Sequence, residues 1–165
     1  MKHTISILVE NQPGVLSRIS GLFSRRGFNI ESLAVGVTDD KTMSRITIVV
    51  DGNEYTVEQV EKQLNKLIDV IKLKTLAANE IVSRELMLVK VTANASDRGD
   101  ILSIVKVMNA KVCDITRTTM TIEISETTEN LENMLEILKP YGICEVVRTG
   151  TIAMQKGTNT INAKK

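Results

Sequence analysis

Apolar residues repeat first with period two and then with period 3.6, in the order βαββαβ, and that order occurs twice in 165 residues. These two observations predict an α+β protein of two consecutive ferredoxin-like units, each an antiparallel sheet with two helices on one face. The first unit is expected over 1–76, a linker over 77–83 and the second unit over 84–156. Residues 157–165 lack periodicity and are expected to form a flexible tail. The other face of each sheet should be solvated or covered by another subunit, and two such small units favour oligomerisation on surface-to-volume grounds.

In the first unit, Ile5, Ile7 and Val9 alternate with polar residues from Thr4 to Glu10, which is the pattern of a half-buried strand. Asn11-Gln12-Pro13-Gly14 breaks it with turn residues. Val15, Leu16, Ile19, Leu22 and Phe23 then fall at helical spacing. Arg25 and Arg26 suit the negative end of that helix, and Gly27 is placed to stop it. A strand from Phe28 to Val37 changes apolar parity near Glu31-Ser32, which predicts a bulge. After a turn at Thr38 to Lys41, Ser44 to Val50 returns as a strand. Thr56-Val57-Glu58-Gln59 reads as a capping box, followed by a stripe of Val57, Val60, Leu64, Leu67 and Ile68. Ile71 and Leu73 mark the fourth strand.

The second unit repeats the order. Leu86 to Val91 is a strand, and Ile101, Leu102, Val105 and Met108 form a helical stripe. Strands follow at Val112 to Thr116 and Met120 to Ser125. A helix with Leu131, Met134, Leu135 and Leu138 is stopped by Pro140 and Gly142, and Ile143 to Arg148 closes the unit.

Composition narrows the function. Hydrophobic residues make up 42% and charged residues 25%, as in a soluble globule with a real core. Aromatics are only 2%, so that core is aliphatic. A net charge of +1 gives no global field to draw nucleic acid or an anionic membrane. Cys113 and Cys144 match no metal or redox spacing and read as small buried hydrophobes of a reducing compartment. The strand pattern begins within a few residues of Met1, with no leader-like segment, and no apolar run nears the roughly 20 residues that span a bilayer. A cytoplasmic protein is expected.

Catalytic chemistry is scarce. His3 is the only histidine, at the frayed start of a strand, and no nucleophile elbow, phosphate loop or GxGxxG occurs. Asp39-Asp40 suits a hairpin turn, and Glu58, Glu61 and Lys62 suit a solvated helix face. No catalytic residue, cofactor or metal site is expected on this chain. The segment that can carry a ligand is the turn from Asn11 to Gly14 with the helix start behind it. Read structurally, Asn11 bonds its own backbone and Pro13 fixes φ. Read functionally, free N–H groups around Gly14, Val15 and Leu16 form an anion site, and Gly14 lets a ligand approach the backbone. With no Lys or Arg in the loop itself, a carboxylate suits it better than a polyphosphate.

Glu10-Asn11-Gln12-Pro13-Gly14-Val15-Leu16-Ser17-Arg18 and Gly21 to Leu33, with Ser44-Arg45-Ile46-Thr47-Ile48 and Arg84 to Val91, closely resemble the small subunit of acetolactate synthase (acetohydroxyacid synthase). The resemblance implies that the first unit is an ACT domain, the amino-acid-sensing module. It implies a regulatory subunit of branched-chain amino acid biosynthesis that binds valine, or leucine or isoleucine, for feedback inhibition and activates a separate catalytic large subunit. That partner would carry thiamine diphosphate, magnesium and FAD. The resemblance places effector contacts at Asn11, Gly14, Val15, Leu16, Asn29 and Ile30, the last two reaching from a neighbouring subunit in a homodimer paired through its ACT domains.

Other users of this fold fit less well. An RNA-recognition module needs aromatic platforms, and Met43 to Val50 has none. An acylphosphatase-like hydrolase would use an Arg after the first strand, which Gln12 to Arg18 mimics, but has no need of a second unit. An ACT-type sensor acting on a different enzyme is the remaining alternative.

Overall fold

The computed structural model describes residues 1–161. The chain divides into two units, Met1–Val82 with Thr151–Lys165, and Ser83–Gly150.

In the first unit, β1 (Lys2–Glu10), β2 (Ile30–Val37), β3 (Met43–Asp51) and β4 (Val70–Leu76) form an antiparallel sheet in the order β2-β3-β1-β4. Helices α1 (Val15–Arg26) and α2 (Glu54–Leu64) complete the βαββαβ order. The inward residues of β1 (Ile5, Ile7, Val9) and β3 (Ile46, Ile48, Val50) share one core with Ile19, Phe23, Val60 and Leu64 of the helices. Aliphatic burial of this kind contributes about 1.5–3 kcal/mol per side chain. The Ile30/Ser32 register shift places the expected bulge at the start of β2. Gly27 stops α1 in the left-handed region at φ +68°, its N–H donating to Phe23 and Ser24 carbonyls. Phe28 lies outside β2 and packs edge-on against Phe23, with ring centroids 6.2 Å apart.

Several local expectations are corrected. The cap of α2 is Asn53, whose side chain accepts from the Thr56 N–H at 2.9 Å, so the helix starts before the expected capping box. The helix ends at Leu64, and Ile68 falls in the following turn and is 94% exposed. In the second unit Leu102 is also exposed.

The second unit repeats the topology. Its strands are β5 (Ile81–Thr92), β6 (Lys111–Ile115), β7 (Thr119–Glu126) and β8 (Ile143–Arg148), in the order β6-β7-β5-β8. Its helices are α3 (Arg98–Val107) and α4 (Thr128–Leu138). Met87, Val89 and Val91 of β5 meet Ile101, Met134 and Leu138 in a separate core. Pro140 lies in a 3-10 turn directly after α4, and Gly142 follows at φ +92°.

The structure draws the unit boundaries differently from the sequence. Residues 77–83, expected as a linker, are a 3-10 turn (Ala78–Glu80) and the first residues of β5. Residues 151–156, expected with the second unit, return to the first, where β9 is Ile152–Gln155. Arg45 Nη2 donates to the Ala153 carbonyl at 2.7 Å, and the Thr151 N–H donates to Ser32 Oγ at 2.8 Å. The expected flexible tail begins with Gly157 to Thr160 exposed and Ile161 buried; its last four residues lie outside the described ones.

Candidate functional site

The end of β1 is fastened on both sides. The Glu10 N–H donates to the Asp69 carbonyl at 3.0 Å, and the Asn11 N–H donates to the Thr42 carbonyl at 2.8 Å. The Asn11 side chain does not turn onto its own backbone: Nδ2 donates to the Lys41 carbonyl at 2.9 Å. That orientation leaves Oδ1 as an acceptor at an exposed position. The turn then closes through Val15 N–H to the Gln12 carbonyl at 3.4 Å.

Gly14 is the N-cap of α1 and is left-handed, with φ +85° and ψ −9°. It supplies no side-chain cap, and the first turn of α1 has no acidic residue. Within its own first turn the helix therefore carries no acid to offset its positive end. Val15 is buried and anchors the helix to the core, whereas Leu16 is 42% exposed and offers apolar surface beside the turn. Backbone donors, one amide acceptor and an aliphatic side chain thus occur within the six residues from Asn11 to Leu16, the kinds of group that an amino acid requires.

Asn29 is exposed and Ile30 is half-buried, and neither joins this group. Ile30 is opposite Val50 on β3, Val50 is opposite His3 on β1, and Asn11 follows Glu10 at the far end of that strand. The seven residue-to-residue steps from His3 to Glu10 span roughly 23 Å at about 3.3 Å each. Within one chain the two halves of the expected contact set lie at opposite ends of the sheet.

Sequence reading missed the charged pair beside the turn. Arg18 grips Asp69 at two points, Nε to Oδ2 at 2.6 Å and Nη2 to Oδ1 at 2.9 Å. Asp69 is buried and Arg18 is half exposed. The hydrogen bonds that Arg18 donates to Asp69 hold the guanidinium pKa above its ordinary value, against the opposing effect of desolvation. Arg18 was visible one helical turn after Gly14; its partner, 51 residues away, carries no local signal.

Cys113 and Cys144 are both exposed, which corrects their expected burial: each lies on a strand position turned away from the core. His3 Nε2 lies 3.2 Å from the Gly52 carbonyl. Among the described residues no three His, Cys, Asp or Glu side chains cluster as a metal site, and no helix is long and apolar enough to cross a membrane.

The strand order and helices define a tandem ferredoxin-like protein whose first unit starts α1 at an uncapped, left-handed Gly14. Residues 5–72 match the family described as AHAS small subunit-like ACT domain, and residues 84–157 match the family described as small subunit of acetolactate synthase. The acetolactate synthase small subunit of Mycolicibacterium smegmatis is 52% identical, over 99% of this chain and 96% of that one. The Mycobacterium leprae acetolactate synthase small subunit is 48% identical, over 96% and 94%. The crystal structure of the acetolactate synthase small subunit from Thermotoga maritima superposes with a TM-score of 0.89 at 35% identity, covering 96% of this chain and 99% of that one. This chain belongs to the acetolactate synthase small-subunit family, and its first unit is an ACT domain.

Proposed function

We propose that this chain is a regulatory, non-catalytic subunit that binds valine at the Asn11–Leu16 turn and conveys feedback inhibition to a catalytic large subunit, which it also activates. The observation that carries this reading is the uncapped start of α1 at Gly14, open beside the Asn11 amide and the exposed Leu16. Backbone N–H groups there receive the effector carboxylate, Asn11 Oδ1 accepts from its ammonium group, and Leu16 meets its side chain. Leucine and isoleucine differ from valine only in the aliphatic part and compete for the same polar contacts.

Asn29 and Ile30 complete the pocket from a second copy, because their own chain holds them roughly 23 Å away along the sheet. β2 is the edge strand and exposes Val35 and Val37, which supports pairing of two ACT domains along that edge. An effector held between two copies biases their relative placement, and that bias is the means of control. The catalytic chemistry, with thiamine diphosphate, magnesium and FAD, belongs to the partner. Both act in the cytoplasm.

The test is acetolactate formation by the separately purified large subunit, alone and with this chain, across a valine titration. Stimulation without valine and inhibition with it are expected. A rate that this chain leaves unchanged at every valine concentration overturns the reading.

A further inference from the structure

Arg18 stands where helix electrostatics disfavours it. A cation near the positive end of a helix is repelled by the free N–H groups, and here no first-turn acid offsets it. Yet the guanidinium folds back across the turn: Nη1 is 3.1 Å from the point that a Cβ on Gly14 would occupy. Asp69 holds it there through Nε and Nη2, and among the described residues Nη1 has no acceptor. Asp69 is itself fixed, since its carbonyl accepts from Glu10 at the end of β1. The pair therefore carries an unspent, charge-assisted donor nitrogen, Nη1 with its two N–H groups, to the Gly14 position, from a side chain that remains half exposed.

We propose that Arg18, positioned by Asp69, is the residue that makes this site selective for a ligand with a free carboxylate. The inference rests on the effector reading above and goes beyond it, because it assigns the selectivity to a residue outside the expected contact set. The ligand carboxylate sits between Nη1 and the N–H groups of the first turn of α1. The guanidinium then bridges two carboxylates, Asp69 on one edge and the ligand on the other. An amide in place of the carboxylate keeps the side chain and ammonium contacts but forfeits the charged bond.

Calorimetry of the full chain with valine and with valinamide tests this. Wild type should bind valine about tenfold to a hundredfold more tightly than valinamide, the span expected for one hydrogen bond to a charged group. Arg18→Gln should lose most of that factor for valine and change valinamide less than about twofold. Arg18→Lys, which retains charge without the two-point grip on Asp69, should fall between, and it serves if Arg18→Gln fails to fold. Equal losses for both ligands in the folded variant, or undiminished valine binding, overturn the proposal by giving Arg18 a structural role or none. Absence of valine binding by the wild-type chain removes the effector reading itself, and this inference with it.

Discussion

Gly14 and Arg18 lie one helical turn apart, and Arg18 Nη1 stands 3.1 Å from the point where a Cβ on Gly14 would lie, so a side chain there would press against the guanidinium. Gly14→Asp therefore does more than block the helix start. The left-handed φ of +85° costs an L-residue about 1–2 kcal/mol, while an acid at a helix N-terminus returns about 0.3–1 kcal/mol. The new carboxylate also comes within reach of Nη1, the position assigned to the effector. The expected result is a chain destabilised by about 1 kcal/mol that still activates the large subunit and no longer responds to valine. A denaturant midpoint and a valine inhibition curve measure the two effects separately. An inhibition curve unmoved by Gly14→Asp places the effector elsewhere.

Asn11→Ala removes the bond to the Lys41 carbonyl together with the proposed ammonium acceptor. Losing that exposed bond from the side chain to the backbone costs about 0.5–1.5 kcal/mol of stability at most. Valine affinity should drop about tenfold or more, since the lost contact is to a charged group. Calorimetry against Asn11→Asp separates the roles: the aspartate cannot donate to Lys41 but retains an acceptor, and should bind valine better than the alanine.

The separation of Asn11 from Asn29 makes the pairing of subunits testable by complementation. In a dimer of one Asn11→Ala chain and one Asn29→Ala chain, one site would carry both substitutions and the other neither. Such a mixed dimer should retain about half of the wild-type high-affinity valine sites, whereas each pure variant retains none. Light scattering should find the wild-type chain dimeric at micromolar concentration. A monomer with or without valine rules out a shared pocket.

Ending the chain at Gly150 should loosen the first unit. It removes the Ala153 carbonyl from Arg45 and the Thr151 N–H from Ser32, and strips away the buried Ile161. Burial of one Ile alone contributes about 1.5–3 kcal/mol. Amide exchange in β1 and β3 should accelerate, while exchange in β7 should change little. Unchanged protection in β1 and β3 would make the returning segment a passive one.

Much of this protein was legible in one dimension. Period-two residues such as Ile5, Ile7 and Val9 and helical stripes such as Val57, Val60 and Leu64 declare their inward faces through spacing alone. The parity change near Glu31-Ser32 likewise announced the bulge that opens β2. The readings that failed were of residues whose burial has no local period. Ile68 looks like another turn of its stripe, but α2 has already ended at Leu64. Cys113 and Cys144 are small enough for either face of a strand, so residue type did not settle their side.

By itself, then, the sequence determined the two βαββαβ units, their aliphatic cores and the open turn from Asn11 to Gly14. Those features follow from contacts within a few residues, where spacing and turn chemistry act. Only the tertiary structure decided that Arg18 meets Asp69 across 51 residues and that Arg45 meets Ala153 across 108. It also decided that Asn11 and Asn29 stand at opposite ends of one sheet. Such relations depend on strand register and on where the chain returns, because side chains remote in sequence meet only after the backbone ladders have set their levels.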